Sequence, residues 1–161
     1  MVARSAGILL YRTYSGLEVL LVHPGGPFWA KKDAGAWSIP KGEVEPGQDE
    51  LATAEREFTE ETGRPVPPGD RVELGEVVQA GRKRVVAWAV PGDLDPTDIV
   101  SNEFEIEWPP RSGQRRSFPE IDRAGWFSLD AARIKINPAQ AQLLDRLVTA
   151  VDSKPAGSPS A

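Results

Sequence analysis

Apolar and polar residues change their spacing several times along this chain, and each change marks an element. Ser5 to Arg12 and Leu17 to Val22 are nearly continuous apolar runs around the turn Tyr14-Ser15-Gly16, the pattern of two buried strands. Ala36 to Ile39 reads as a short strand that leads into a Pro- and Gly-rich loop, Pro40 to Gly47. From Gln48 to Thr62 there is neither Pro nor Gly, and Leu51, Ala54 and Phe58 recur at helical spacing, which predicts a helix ended by Gly63. Val72 to Ala80 and Lys83 to Val90 flank Gly81-Arg82 and predict a hairpin. Asn102 to Trp108 alternates strictly, with Phe104, Ile106 and Trp108 on one face and Glu103, Glu105 and Glu107 on the other, as in a half-buried strand. Ser128-Leu129-Asp130 opens a short helix. Asn137-Pro138 begins a longer one to about Asp152, with Ala141, Leu144, Leu147 and Val148 on its buried side. The stretches His23 to Lys32, Arg64 to Arg71, Pro91 to Ser101 and Pro109 to Arg116 read as loops. Residues 153–161 are rich in Pro, Gly and Ser with little to bury, and a disordered tail is expected there.

Strands, a helix, further strands and a terminal helix, in that order, predict an α/β fold with a mixed sheet between helices. The length of 161 residues suits one domain with a substantial core, expected over residues 3–152. A net charge of −5 argues against nucleic-acid binding driven by phosphate neutralisation. The absence of cysteine excludes disulfides and thiolate metal sites. No signal-peptide pattern follows Met1, and no apolar run approaches a membrane span, so a cytoplasmic protein is expected.

The chemistry concentrates on the predicted helix. Glu57, Glu60 and Glu61 stand at i, i+3 and i+4, which places them within an arc of roughly 100° on one side. Such carboxylates repel, at a cost of a few tenths of a kcal/mol per exposed pair. A hard divalent cation such as Mg²⁺ or Mn²⁺ turns that cost into a gain. Taken alone, the cluster reads first as a solvated acidic face; the glycine loop before it and the Arg56-Glu57 pair shift the reading toward a cation site. Lys41, beside that loop, is placed to face an anionic substrate. Trp29, Lys31 and Lys32, with Phe28, lie on one loop, where they either stack on a base and hold phosphates or pack on their own aromatic anchor. His23, the single histidine, reads as structural at a strand end, and Arg82, Lys83 and Arg84 read as a solvated hairpin tip.

Gly42, Arg56, Glu57, Phe58, Glu60, Glu61 and Gly63 together resemble the Nudix box, Gly-x5-Glu-x7-Arg-Glu-U-x-Glu-Glu-x-Gly-U, with U a bulky apolar residue. Two positions depart from it: Gln48 replaces a glutamate, which removes an ion pair that position would make inside the box, such as one to Arg56. Arg64 replaces an apolar residue at the helix exit, where a cation suits the helix dipole. The resemblance implies a Nudix α/β/α sandwich and a metal-dependent pyrophosphohydrolase acting on nucleoside diphosphate-linked compounds. It implies Glu57, Glu60 and Glu61 as metal ligands, with the backbone carbonyl of Lys41, and Arg56 as their orienting partner. The stretch Phe118 to Phe127 resembles the segment before the last strand of many family members, where a glutamate completes the metal site or serves as base. Glu120 is the candidate, with Glu105 second, and Glu57, Glu60 and Glu120 remain alternatives for the base. Ser5 to Arg12 and the Trp88 strand are similar to the small diadenosine tetraphosphate hydrolases of the family. Nucleoside triphosphates are nearly as well supported, sugar nucleotides follow, and RNA caps are disfavoured by the acidic charge. The alternative is a Nudix-fold nucleotide sensor or interaction module that no longer hydrolyses. No membrane partner is expected.

Overall fold

The computed structural model describes residues 3–152. The tail expected over 153–161 lies outside the described residues. Among the described residues, three α-helices and eight strands follow one another as β1 (Arg4–Thr13), β2 (Leu17–Pro24), β3 (Lys41–Glu43), α1 (Glu50–Thr62), β4 (Val72–Val78), β5 (Arg84–Pro91), β6 (Glu103–Glu107), β7 (Arg115–Pro119), β8 (Ile121–Ser128), α2 (Leu129–Lys135) and α3 (Ala141–Asp152).

The main sheet runs β4-β5-β1-β2-β8; β1 is parallel to β5 and the other pairs are antiparallel. The long strand β1 shares one edge between two partners. Its end pairs with β2 through Tyr11 to Thr13, and its start pairs with β3, Ala6 opposite Gly42 and Gly7 opposite Lys41. The glycine loop is thereby drawn into the sheet. Gly7 permits this, because a Cβ there would come within 2.6 Å of the Pro40 carbonyl oxygen.

Alternation along the strands divides the core between two helical layers. Ala6, Ile8, Leu10, Leu20, Val86, Trp88 and Val90 face Ala54 and Phe58 of α1. Leu9, Tyr11, Val19, Leu21, Val85 and Ala87 face Ala132 of α2 and Leu143, Leu144 and Leu147 of α3. A mixed sheet between helices, the expected fold class, is what the chain forms. Asp49 caps α1, its side chain accepting from the Ala52 N–H, and Gly63 closes it in the left-handed conformation at φ 74°.

The expectations fail in several places, beginning with β3, a strand inside the expected loop Pro40 to Gly47. Ala36 to Ile39 makes only isolated bridges, Ser38 to Val22 and Trp37 to Ile136, because its apolar side chains are buried between β2 and the end of α2 rather than in a ladder. Arg115 and Arg116, read as loop, begin β7, which pairs with β6 in a separate two-stranded sheet. The stretch from Ile121 is itself a strand, the edge partner of β2. On α3 the buried side is Leu143, Leu144 and Leu147, while Ala141 and Val148 are half-buried.

Gln140, on the turn before α3, is a buried polar residue that joins three segments. Its Oε1 accepts from the Ile39 N–H at 3.1 Å, and its Nε2 donates to Ser38 Oγ and Gln79 Oε1, each at 3.0 Å. It ties the chain entering the glycine loop to the terminal helix and the end of β4. Gln140→Leu is expected to destabilise the fold by about 1–3 kcal/mol, because it leaves the buried Ile39 N–H unpaired. Chemical denaturation at neutral pH measures this.

Candidate active site

The box helix fixes the first three carboxylates. Phe58, on the face of α1 adjoining the carboxylates, is fully buried against the sheet, and the neighbouring flank carries Glu57 and Glu61 to β3 and Glu61 to the start of β8. Glu61 Oε1 accepts from the Lys41 N–H at 3.3 Å. Glu57 lies directly over Gly42: a Cβ on that glycine would sit 2.0 Å from Glu57 Cδ. Arg56 is half-exposed and lies 3.6 Å from Glu57 Oε2 and 3.9 Å from Glu60 Oε2, within ion-pair range of both but without the close bidentate hydrogen bonding expected of an orienting arginine.

Glu120 arrives from the break between β7 and β8 and is keyed to the same helix by backbone bonds. The Val100 and Asn102 N–H groups donate to the Thr62 and Glu60 carbonyls, satisfying acceptors of the last helical turn. The Asn102 carbonyl then accepts the Glu120 N–H at 2.8 Å, and the Glu120 carbonyl accepts the Gly25 N–H at 2.8 Å. Glu105 is not brought to this cluster; it is exposed on β6 and paired with Arg115.

Electrostatics register how close the four groups are. Burial, then the charges of Glu57 and Glu120, push the Glu61 carboxyl up to about 8, against the opposing Lys41 N–H and ammonium. Burial and Glu60 raise Glu57, with Glu120 adding to the effect, and burial and Glu60 raise Glu120. Burial holds the Lys41 ammonium below the usual lysine range, Lys83 adding to this against the pull of Glu61 and Glu57. Glu60 Oε2 is buried without a hydrogen bond. Oxygen donors that repel one another, one of them without a hydrogen bond and facing only the Arg56 guanidinium at 3.9 Å, are the donor set that a hard cation satisfies. Among the described residues, however, no three acidic or histidine side chains converge at ligating distance as they stand. The carboxylates are gathered, and closing them on an ion requires side-chain rotation.

Gln48 does not reach Arg56. Its Oε1 accepts from the Glu45 N–H at 3.2 Å and from Thr53 Oγ1 at 3.5 Å, so this position braces the turn into α1. Trp29, Lys31 and Lys32 are exposed on the loop after β2, the Lys32 ammonium 5.0 Å from the centre of the Trp29 ring. Phe28 meets Trp108 edge-on at 5.4 Å, which props the loop against the β6–β7 hairpin. Phe28 is itself exposed, as are Trp29 and the two lysines, so the loop presents all four side chains and is not packed on a buried aromatic anchor. Arg84 at the hairpin tip pairs with Glu76.

Residues 1–147 match the NUDIX domain family. An 8-oxo-(d)GTP phosphatase of Mycolicibacterium smegmatis is 30% identical over 169 aligned residues, which take in 94% of this chain and 43% of that protein. A bis(5'-nucleosyl)-tetraphosphatase (asymmetrical) of Mus musculus is 33% identical over 100 residues, 55% of this chain and 64% of that protein. The chain thus spans less than two thirds of the length of either relative. Among solved structures, a binary complex of a C. elegans Ap4A hydrolase superposes with a TM-score of 0.67 at 22% identity, covering 93% of this chain and 99% of that one. The NUDIX domain of Shewanella oneidensis NrtR, complexed with ADP ribose, gives 0.63 at 16% identity, covering 94% and 89%. Both likenesses speak to the fold. Among the described residues no helix is long and apolar enough to cross a membrane.

Proposed function

The chain belongs to the Nudix family, and from that premise we propose that it is a Mg²⁺- or Mn²⁺-dependent hydrolase of nucleoside diphosphate-linked anhydrides, acting on dinucleoside polyphosphates or nucleoside triphosphates. One observation carries the reading: Glu61 of α1 and Glu120 of the β7–β8 break line one cleft with Lys41, and Glu57 lies beside them over Gly42. The activities named for the M. smegmatis and mouse relatives support the two substrate classes.

Glu57, Glu60 and Glu61, with the Lys41 carbonyl, are the groups that would hold the cation. When bound, the cation supplies charge neutralisation at the phosphate oxygens and makes water a better nucleophile. Glu120, contributed from outside the helix and half-buried, takes the proton of the attacking water. The new phosphorus–oxygen bond forms as the bond to the bridging anhydride oxygen breaks, and a nucleotide and a second phosphate-bearing product leave. Arg56 steadies Glu57 and Glu60. Trp29 stacks on a base, and Lys31, Lys32 and Lys41 meet the phosphates.

The test is nucleotide and phosphate release from a panel of dinucleoside polyphosphates, nucleoside triphosphates and nucleotide sugars, with Mg²⁺, with Mn²⁺ and with chelator. Turnover of the first or second class, abolished by chelator, is the expected result. Nucleotide binding without turnover of any member would instead identify a Nudix-fold sensor. On the substrate so found, Trp29→Ala is expected to raise KM about tenfold with kcat nearly unchanged, since base–aromatic stacking is worth about 1–3 kcal/mol.

A further inference from the structure

His23 is fully buried at the end of β2, between the exposed loop that carries Trp29, Lys31 and Lys32 and the strand that begins after Glu120. Its Nε2 is hydrogen-bonded to the Lys32 carbonyl at 2.6 Å, and its Nδ1 to Asp122 Oδ1 at 2.8 Å. The ring packs edge-on against Trp37, 5.2 Å between centroids. Few other bonds tie this loop to the body. At its start the Gly25 N–H donates to the Glu120 carbonyl, and at its exit Asp33 accepts from Trp37 Nε1 and pairs with Lys135. Between them, the Trp29 and Lys32 N–H groups bond only to carbonyls of the loop itself.

We propose that His23 is a positioning residue that locks the Trp29–Lys32 loop onto the start of β8, just after Glu120, so that the groups meeting the nucleotide are held in register with the carboxylates. The inference rests on the hydrolase reading above for its kinetic consequence. Its structural content stands independently. His23 touches neither substrate nor the reacting atoms, and it acts through the Lys32 carbonyl on one side and Asp122 on the other. A purely packing residue at this buried site would need only the contact with Trp37, and both ring nitrogens would be superfluous.

The test uses the full chain and the variants His23→Phe and Asp122→Ala. His23→Phe keeps an aromatic ring, one atom larger, against Trp37 but loses both hydrogen bonds. Asp122→Ala removes one anchor at a partly exposed position, where the core is not disturbed. Hydrogen–deuterium exchange without metal or nucleotide is expected to accelerate about tenfold in residues 25–32 of both variants, with β1 and β5 unchanged, as loss of roughly 1.4 kcal/mol of local bonding implies. On the substrate identified above, KM is expected to rise about tenfold, with kcat within about threefold of the original. Unchanged exchange in the loop would overturn the inference. So would acceleration spread evenly through the core, or a fall in kcat with KM unchanged. If the unaltered chain turns over no nucleotide, the hydrolase reading fails, and the exchange measurement still decides the role of His23.

Discussion

Glu61→Gln is expected to lower turnover by about a thousandfold and, at the same time, to stabilise the metal-free protein in alkaline solution. The first effect follows from removing an oxygen donor that would help to hold the cation: a Lewis acid contributes several kcal/mol to phosphoryl chemistry, and about 4 kcal/mol is a factor of a thousand in rate. The second follows from linkage. Glu61 releases its proton near 4.5 in the unfolded chain but only at about 8 in the fold. Between those values the native state binds more protons than the unfolded state, so stability falls as pH rises through that window and stays low above it. The full shift corresponds to several kcal/mol; partial solvent access around the half-buried side chain reduces this to roughly 2–3 kcal/mol. An uncharged amide in the same place escapes that loss. The metal-free variant is therefore expected to melt about 5–10 °C above the original protein at pH 8.5 and to converge with it toward pH 4.5, by calorimetry in chelator. A variant less stable than the original at pH 8.5 would show that the Glu61 carboxylate is not under electrostatic strain.

Gly42→Ala is expected to cut turnover by about a hundredfold and to cost about 1–3 kcal/mol of stability, the usual range for forcing an extra carbon into packed space. Its Cβ would lie 2.0 Å from Glu57 Cδ and 2.1 Å from Glu57 Oε1. The backbone on that side is fixed by pairing with β1, so the carboxylate is what must swing away. Gly47→Ala is the matched control. Gly47 adopts φ 84°, and a Cβ there would meet no atom within 4 Å, so alanine at this position faces backbone strain alone. Its cost is about 1–2 kcal/mol, and turnover is expected to persist. Paired denaturation curves and initial rates separate the two outcomes; equal loss of turnover in both variants would mean that the whole loop, rather than the Gly42–Glu57 approach, governs activity.

The parts of this molecule that could be read from sequence are those whose pattern is local. The box helix announces itself by a stretch free of Pro and Gly, an apolar stripe ending on Phe58 and a closing glycine, and the structure places α1 there with Gly63 as its left-handed cap. The hairpin around Gly81-Arg82 and the two last helices were legible for the same reason. Strand β7 was not, because Arg115, Arg116 and Ser117 are exposed and show no apolar alternation; their strand character comes from pairing with β6. Strand β3 is invisible in a glycine loop, since it exists through its partners Ser5 to Gly7. Ala36 to Ile39 shows the opposite error, apolar residues buried without a ladder.

The site divides along the same line. Glu57, Glu60 and Glu61 share a helical face by spacing alone. Glu120 required the family resemblance, because its nearness to them is set by Asn102, whose backbone links it to the end of α1. Glu105, the second candidate, points to Arg115 instead. Gln140 and the two-sided bonding of His23 had no sequence signal: a polar side chain buried by tertiary contacts looks, in sequence, like any surface residue.

On the hydrolase reading, the gathered carboxylates would bind hard divalent cations. The most direct measurement of this is Mn²⁺ binding, followed by electron paramagnetic resonance of the free ion, in the original chain and in Glu57→Gln and Glu61→Gln without nucleotide. Saturable Mn²⁺ uptake by the original chain, competed by Mg²⁺ and weakened at least tenfold in each variant, is the predicted result. Equal uptake by all three proteins, or none by the original chain with or without nucleotide, would contradict it.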